Sequence, residues 1–385
     1  MKSQNINNVN FHMIGRNGIS SLKKITLSKA LGFLLGMPFA LNNSPLYLIA
    51  LFVFSIALLR RPFKVVPFYS LRIICIYSLI LLGFISNLIA ISSINIDSFR
   101  MVSTSMFFIL LFFGEMVENK KEFLDGFLKI MVIWAVYIIL LAMYLEVYKY
   151  GLLLFSVPDY RMWGVDLIPD WPNYMAFMLS FSLMLNIFVF KRWFITVVLL
   201  IAIVFTTSRT PFLAIGLILG YFIFFSTSIN TTKRILIYIT SITSIVLFLV
   251  YITEYAPDFL ERLIIFEDRQ QIYSYSFDLL SKSPFIGHGS ILLDSSVGFE
   301  GFPSFHNTYF DISVRHGLPA LILFLYVLMP NSQNSRLGGK PFVATILFFL
   351  IGAVFQNFLK HPHIIMLYMV LINSGYIFSN DASGN

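Results

Sequence analysis

Apolar runs of about 15–24 residues recur along almost the whole chain, and about 20 are needed for a helix to cross the hydrocarbon core of a bilayer. A backbone in lipid must satisfy its own hydrogen bonds, which leaves helices or a closed barrel. Runs such as Ile195–Val204 lack the alternation of barrel strands. Composition agrees, with 58% hydrophobic residues and a mean hydropathy of +0.81, against roughly 45–50% apolar residues in a soluble domain. The expected fold is all-α, a polytopic integral membrane protein.

About twelve spans are expected, near 25–41, 45–59, 68–92, 99–117, 125–148, 171–190, 193–206, 211–229, 235–253, 306–329, 341–357 and 363–379. Positive charge orients them. With the N-terminus in the cytoplasm, Lys23, Lys24 and Lys29 lie inside, as do Arg60-Arg61, Lys120-Lys121, Lys191-Arg192, Lys233-Arg234, Arg336 and Lys340. The alternate turns 42–44 and 92–98 carry no Lys or Arg. The net charge of +8 is therefore mostly topological and gives no reason to invoke nucleic acid. The lone Cys75 falls within a span, so neither a disulfide framework nor a thiolate metal site is expected. No cleavable signal sequence is evident.

One hydrophilic stretch, residues 254–305, breaks the series, and the chosen orientation puts it outside the cytoplasm. It holds Glu261, Arg262, Glu267, Asp268, Arg269, Asp278, Lys282, His288, Asp294 and Glu300 in a chain with only 12% charged residues. Interleaved Phe259, Leu263, Tyr273, Phe277 and Leu279 supply packing faces, so the loop is expected to be folded. The organisation expected is a cytoplasmic segment 1–24, spans one to nine over 25–253, an outer loop 254–305, spans ten to twelve over 306–379 and a cytoplasmic tail 380–385.

Several polar residues sit where the membrane disfavours them. Arg209, in Thr206-Thr207-Ser208-Arg209-Thr210-Pro211, lies on the outer side against the positive-inside bias. An Arg snorkelling to the interface is the bland alternative. Its Thr, Ser and Pro neighbours instead mark a helix N-terminus, which attracts anions, and Arg adds a planar fork suited to phosphate. Arg161 is a second outward cation, followed by Asp170-Trp171-Pro172-Asn173-Tyr174, which reads as a helix start with Pro in its first turn. The alternative for it is an interfacial anchor, and for Arg262 and Arg269 a solvated helix face. Arg315, within the tenth span, needs a cavity or a partner such as Asp311. His306 is a candidate proton acceptor. His316 reads as a helix residue, and His361 and His363 as incidental members of an outer turn. No metal-ligand spacing, phosphate loop or Gly-x-Ser-x-Gly element is present.

Together these segments resemble the O-antigen polymerase and O-antigen ligase family. Arg161-Met162-Trp163-Gly164 and Pro172-Asn173-Tyr174-Met175-Ala176 are similar to its Arg-x-x-Gly and Pro-Asn-x-x-Ala segment. Ser208-Arg209-Thr210 resembles its Ser-Arg element, and Asp268-Arg269 followed by Ser283-Pro284-Phe285-Ile286-Gly287-His288-Gly289 resembles its loop helix and Pro-Leu-x-Gly-x-Gly run. His306-Asn307, nine residues and Gly317 resemble the ligase signature, which the chain departs from at Ala320, where that signature has Gly, Thr or Tyr.

The resemblance implies glycosyl transfer on the periplasmic face of a bacterial inner membrane, from an oligosaccharide on undecaprenyl diphosphate. A flippase would deliver the donor, and a chain-length regulator is a further expected partner besides membrane lipid. A polymerase moves the growing chain onto a new lipid-linked repeat, whereas a ligase moves the finished chain onto lipid A-core. Neither is expected to use a metal, nucleotide or other cofactor. Arg209 and Arg269 would steady the leaving diphosphate with Arg161, and His306 would take the acceptor proton. Arg262, Arg315, Asn307, Tyr309 and Asp311 are expected to line the substrate site. The incomplete signature favours polymerase over ligase. A flippase-type transporter would carry charge near mid-bilayer in paired, interrupted helices, and this chain concentrates it in one outer loop. The outward Arg set argues against a non-catalytic assembly factor.

Overall fold

The computed structural model describes residues 27–36, 71–91, 111, 117, 119–145, 172–206, 208, 210–224, scattered positions between 232 and 250, and residues 267–290, 305 and 307–379. Helices and turns make up these residues, with no strand among them. The helices are α1 (Leu27–Gly36), α2 (Leu71–Ile91), α3 (Lys120–Leu145), α4 (Pro172–Leu185), α5 (Trp193–Phe205), α6 (Thr210–Phe224), α7 (Glu267–Lys282), α8 (Thr308–Leu328), α9 (Ser332–Phe355) and α10 (Pro362–Ile372). A wider turn, Asn186–Phe190, extends α4, and single tight turns at Phe358–Lys360 and Gly375–Phe378 flank α10.

Among the described residues, five stretches are long and apolar enough to cross a bilayer: Leu71–Ile89, Lys120–Tyr144, Asn173–Phe190, Thr308–Leu328 and Ser332–Phe355. The chain is a multi-pass membrane protein. The second, fourth and ninth expected spans fall wholly or largely outside the described residues. The helix of the twelfth expected span ends early, at Ile372, before the tight turn Gly375–Phe378, and two helix starts differ from expectation. The helix of the fifth span begins at Lys120, because Asn119 accepts from Glu122 N and caps a first turn that the charges hid. That of the eleventh begins at Ser332, where the Asn331 side chain caps it, and it breaks at Gly339 (φ 60°) just before Pro341. The apolar run read from the sequence is only the part after this break.

Contacts between helices fix which ends lie together. Arg72 at the start of α2 donates to the Met329 carbonyl and, over 3.2 Å, to Asn373 Oδ1. The start of α2, the end of α8 and the end of α10 therefore share one end of the bundle. Arg192, at the turn between α4 and α5, reaches Asp125 at the start of α3. The starts of α4, α6, α8 and α10 occupy the other end. The 18 residues of Asn173–Phe190 put about 27 Å between the two ends at the helical rise per residue.

Packing follows membrane rules. Gly32 on α1 and Gly126 on α3 bring two backbones into contact, since a Cβ on Gly32 would meet the Phe123 carbonyl and one on Gly126 the Lys29 carbonyl. Small residues permit such crossings where lipid offers no hydrophobic drive to association. Elsewhere aromatic rings fill the core. Phe177 on α4 stacks on Phe348 of α9 at 4.7 Å and packs against Phe358 at 4.9 Å. Outward faces stay apolar, as Ile74, Leu81, Phe84 and Leu88 of α2 show, which suits side chains bathed in lipid tails. Trp193 and Phe194, exposed beside Arg192, form an aromatic-basic edge of the kind found at membrane interfaces.

Candidate functional site

Two motif segments that lie far apart in sequence form one structural unit. Helix α8 is broken at Gly317 (φ 85°), two residues before Pro319. In an unbroken helix Val314 O would accept from Leu318 N, and Arg315 O from an N–H that Pro319 lacks. The Ser283–Gly289 segment after α7 takes over all three groups. His288 N donates to Val314 O (2.9 Å), Gly289 N to Arg315 O (2.8 Å), and Leu318 N to Pro284 O (2.8 Å). Gly287 (φ 74°) abuts the Arg315 and His316 backbone, and Gly317 abuts Phe285 and Ile286. Neither position has room for a Cβ, and both have a backbone that L side chains rarely adopt. The two glycines are thus the physical content of these motifs.

This junction anchors the loop helix. Ile272 and Leu279 of α7 bury against Phe305 and Val314, and Tyr273 and Phe277 lie 5.2 and 5.0 Å from the Phe310 ring. The His288 Nε2–H donates to Leu279 O at 2.7 Å, tying the segment back to its own helix. Ser290 N donates to Asn87 Oδ1 (3.0 Å), which links the segment to α2 as well.

Arg315 lies in the wall of this unit. Its Nε donates to Asp311 Oδ1 at 3.1 Å, the partner expected from the i, i+4 spacing, and both side chains are nearly inaccessible. A second donor reaches Gly289 O at 3.5 Å, and the guanidinium stands 5.9 Å from the Phe305 ring centre. Such pairing is what a buried charge in a bundle requires. His316 is buried with Nδ1 2.6 Å from Ser86 Oγ, which is the helix-packing place expected of it.

Asn307 and Tyr309 have defined local tasks. The Asn307 side chain accepts from Tyr309 N (2.9 Å) and Phe310 N (3.2 Å), capping α8 and fixing the chain just after His306. The Tyr309 hydroxyl donates to Leu350 O on α9 at 2.8 Å.

At the same end of the bundle the remaining motifs converge. Pro172 opens α4, as the sequence implies, and Ser208 Oγ donates to Asn173 Oδ1 at 3.0 Å, joining the Ser-Arg and Pro-Asn elements. Tyr174 OH donates to Asn357 O at 3.0 Å and its ring lies 3.9 Å from that of His361. Thr308 donates through Oγ1 to Gln356 O (2.7 Å) and accepts from Phe358 N (2.9 Å). The 356–361 turn is therefore a hub between α4 and α8. Sequence reasoning read His361 as incidental, because no local pattern marks a turn whose partners are more than 45 residues away.

Arg161, Arg209, Arg262 and His306 lie outside the described residues. Arg269 belongs to α7, and its side chain lies outside them too. Arg209 nonetheless follows Ser208 and precedes Thr210, the first residue of α6, and His306 directly precedes the Asn307 cap. Among the described residues no three His, Cys, Asp or Glu side chains gather as metal ligands.

At the opposite end, one acid holds three cations that no motif flagged. Asp125 pairs with Arg192 at 2.8 Å, Lys29 at 3.0 Å and Lys129 at 3.3 Å, tying α1, α3 and α5 together.

Residues 194–325 match the family model described as O-antigen ligase. The match covers about a third of the chain and is a likeness to the O-antigen polymerase and ligase family. It covers the Ser-Arg element, α7, the glycine junction and the first part of α8, and it leaves out α4 and the 356–361 turn. No curated protein matches the chain.

Proposed function

We propose that this membrane protein belongs to the O-antigen polymerase and ligase family and polymerises oligosaccharide repeat units carried on undecaprenyl diphosphate, at the periplasmic face of the inner membrane. One observation carries the reading: the Pro-Asn, Ser-Arg and His-Asn elements meet at one end of the bundle, through Asn173–Ser208, Tyr174–Asn357 and Thr308–Gln356. The basic residues Lys29, Lys129 and Arg192 lie at the other end, which the positive-inside bias makes cytoplasmic.

In this mechanism an acceptor hydroxyl oxygen attacks the anomeric carbon of the donor. The carbon–oxygen bond to the diphosphate breaks, and its electron pair leaves with the phosphate oxygen. His306 takes the hydroxyl proton. Arg161, Arg209 and Arg269 receive the charge that develops on the leaving group, where fixed donors lower the barrier most. Attack opposite the leaving group inverts the anomeric centre. No step is given to a metal or a nucleotide. Arg315, with Asp311 and Asn307, supports the site wall, and the junction at Gly287 and Gly317 holds α7 over it.

Transfer of finished chains onto lipid A-core is the second reading, and the description of the matched family favours it. Ala320, buried at the last position of the ligase signature, favours polymerisation. Deleting the gene and analysing the lipopolysaccharide separates the two. Core bearing a single repeat is the expected result. Bare core with lipid-linked chains accumulating would assign ligation instead, and an unchanged ladder of lengths would overturn both.

A further inference from the structure

We infer that the 356–361 turn is a wall of the donor site, and that the Asn357 side-chain amide donates a hydrogen bond to the diphosphate of the lipid-linked substrate. The inference deepens the proposed function and rests on it.

Asn357 is fully buried. Its Oδ1 is occupied, accepting from Leu359 N at 3.0 Å. Its main-chain carbonyl is occupied as well, accepting from Tyr174 OH. Its Nδ2 has no acceptor among the described residues. A buried amide donor left without an acceptor costs about 1–3 kcal/mol, so native proteins rarely keep one without a use. This one stands where the three motif elements meet, flanked by Tyr174 and Thr308.

Charge identifies the ligand. The turn reads Gln356-Asn357-Phe358-Leu359-Lys360-His361-Pro362-His363, with one Lys, two His and no acid. It lies at the end of the bundle that the proposed orientation puts outside, where the positive-inside bias disfavours Lys, as it disfavours Arg209. Arg209 itself is adjacent in sequence to Ser208, which binds Asn173, the neighbour of Tyr174. An N–H donor without an acceptor, in a turn whose sequence is basic, fits an anion rich in acceptor oxygens. His361 is held against Tyr174 at 3.9 Å, which fixes the turn's far end.

The geometry also supplies a clean probe. Asn357→Asp keeps an oxygen to accept from Leu359 N and replaces the free donor by an acceptor. Asn357→Ser keeps a capping oxygen with no added charge, and serves if the buried carboxylate prevents folding. Binding of undecaprenyl diphosphate itself is measured to the full-length protein in nanodiscs. A folded variant of either kind is expected to bind it about 10- to 100-fold more weakly, the usual worth of a hydrogen bond to a charged group. Wild-type affinity in a folded variant would overturn the inference, leaving a buried water as the amide's acceptor. Slower repeat addition with unchanged undecaprenyl diphosphate affinity would overturn it too, because the amide would then serve the sugar. If the wild-type protein does not bind undecaprenyl diphosphate at all, the proposed function fails and this inference fails with it.

Discussion

Gly317 and Phe285 touch through their main chains: the Phe285 carbonyl occupies the space in which a side chain at position 317 would stand. Gly287 meets Arg315 in the reciprocal way. Either Gly→Ala substitution has to move one backbone away from the other and hold an L residue at positive φ, at a cost of about 1–3 kcal/mol for the conformation alone. Both variants are expected to lower the unfolding midpoint in detergent. Gly216→Ala, whose added Cβ would meet nothing within 4 Å, is the comparison and is expected to lower it less.

The Asp311–Arg315 pair predicts a non-additive cycle. Asp311→Ala leaves a cation buried without its carboxylate and is expected to cost about 3–5 kcal/mol. Replacing both residues, as Asp311→Ala with Arg315→Leu, removes the stranded charge and is expected to recover a large part of that loss. Equal destabilisation by the single and the double variant, read by thermal unfolding, would mean that the pair contributes through packing alone.

The Asn307 cap separates the shape of the helix start from its chemistry. Asn307→Ser keeps an acceptor for the first turn of α8 and is expected to retain polysaccharide synthesis. Asn307→Ala loses both capping bonds, at about 0.5–2 kcal/mol, and frees the chain that carries His306. Polysaccharide length and amount in complemented cells distinguish the two variants.

Arg209 and His306 are expected to fail differently. Arg209→Lys keeps the charge and loses the planar fork, so it stays impaired and Arg209→Ala is worse, by about 10²–10³ in rate. Donor affinity falls with it. His306→Ala lowers turnover by about 10²–10⁴ while donor affinity stays near that of the wild type. Normal polysaccharide in a correctly inserted His306→Ala protein would remove His306 from the mechanism.

Orientation has its own test. Reporter fusions at Asn331, in the turn between α8 and α9, are expected to read cytoplasm, and fusions at Asp294 the outside. The Asn331 turn lies at the end shared by Arg72 and Met329. A cytoplasmic reading at Asp294 would move the proposed site to the wrong side of the membrane.

What the sequence made legible was local. Pro172 announces the start of α4, and the i, i+4 spacing of Asp311 and Arg315 announces their pair, whereas the break of α8 at Gly317 went unread within an apolar run taken as one span. Each signal depends on a few neighbouring residues and on the cost of a charge or a missing N–H in lipid. Harder to see were relations between distant segments. The first turns of α9 are polar and interrupted at Gly339, so hydropathy missed them. Nothing near Gln356 or Asn357 signals that α4 and α8 bind there, and nothing near Asp125 signals that Lys29 and Arg192 converge on it. The roles given to Arg161, Arg209, Arg262, Arg269 and His306 still rest on motif order and chemistry.

The hub at 356–361 sets the unit that can be exchanged between relatives. A transplant limited to 194–325, the stretch that carries the family match, would bring Ser208 and Thr308 into a host that must supply counterparts of Asn173, Gln356 and Phe358. Specificity moved in that way would arrive with the hub bonds of Ser208 and Thr308 severed. A graft running from Pro172 to His361 carries both sides of the bonds that join α4, Ser208 and α8 to the hub.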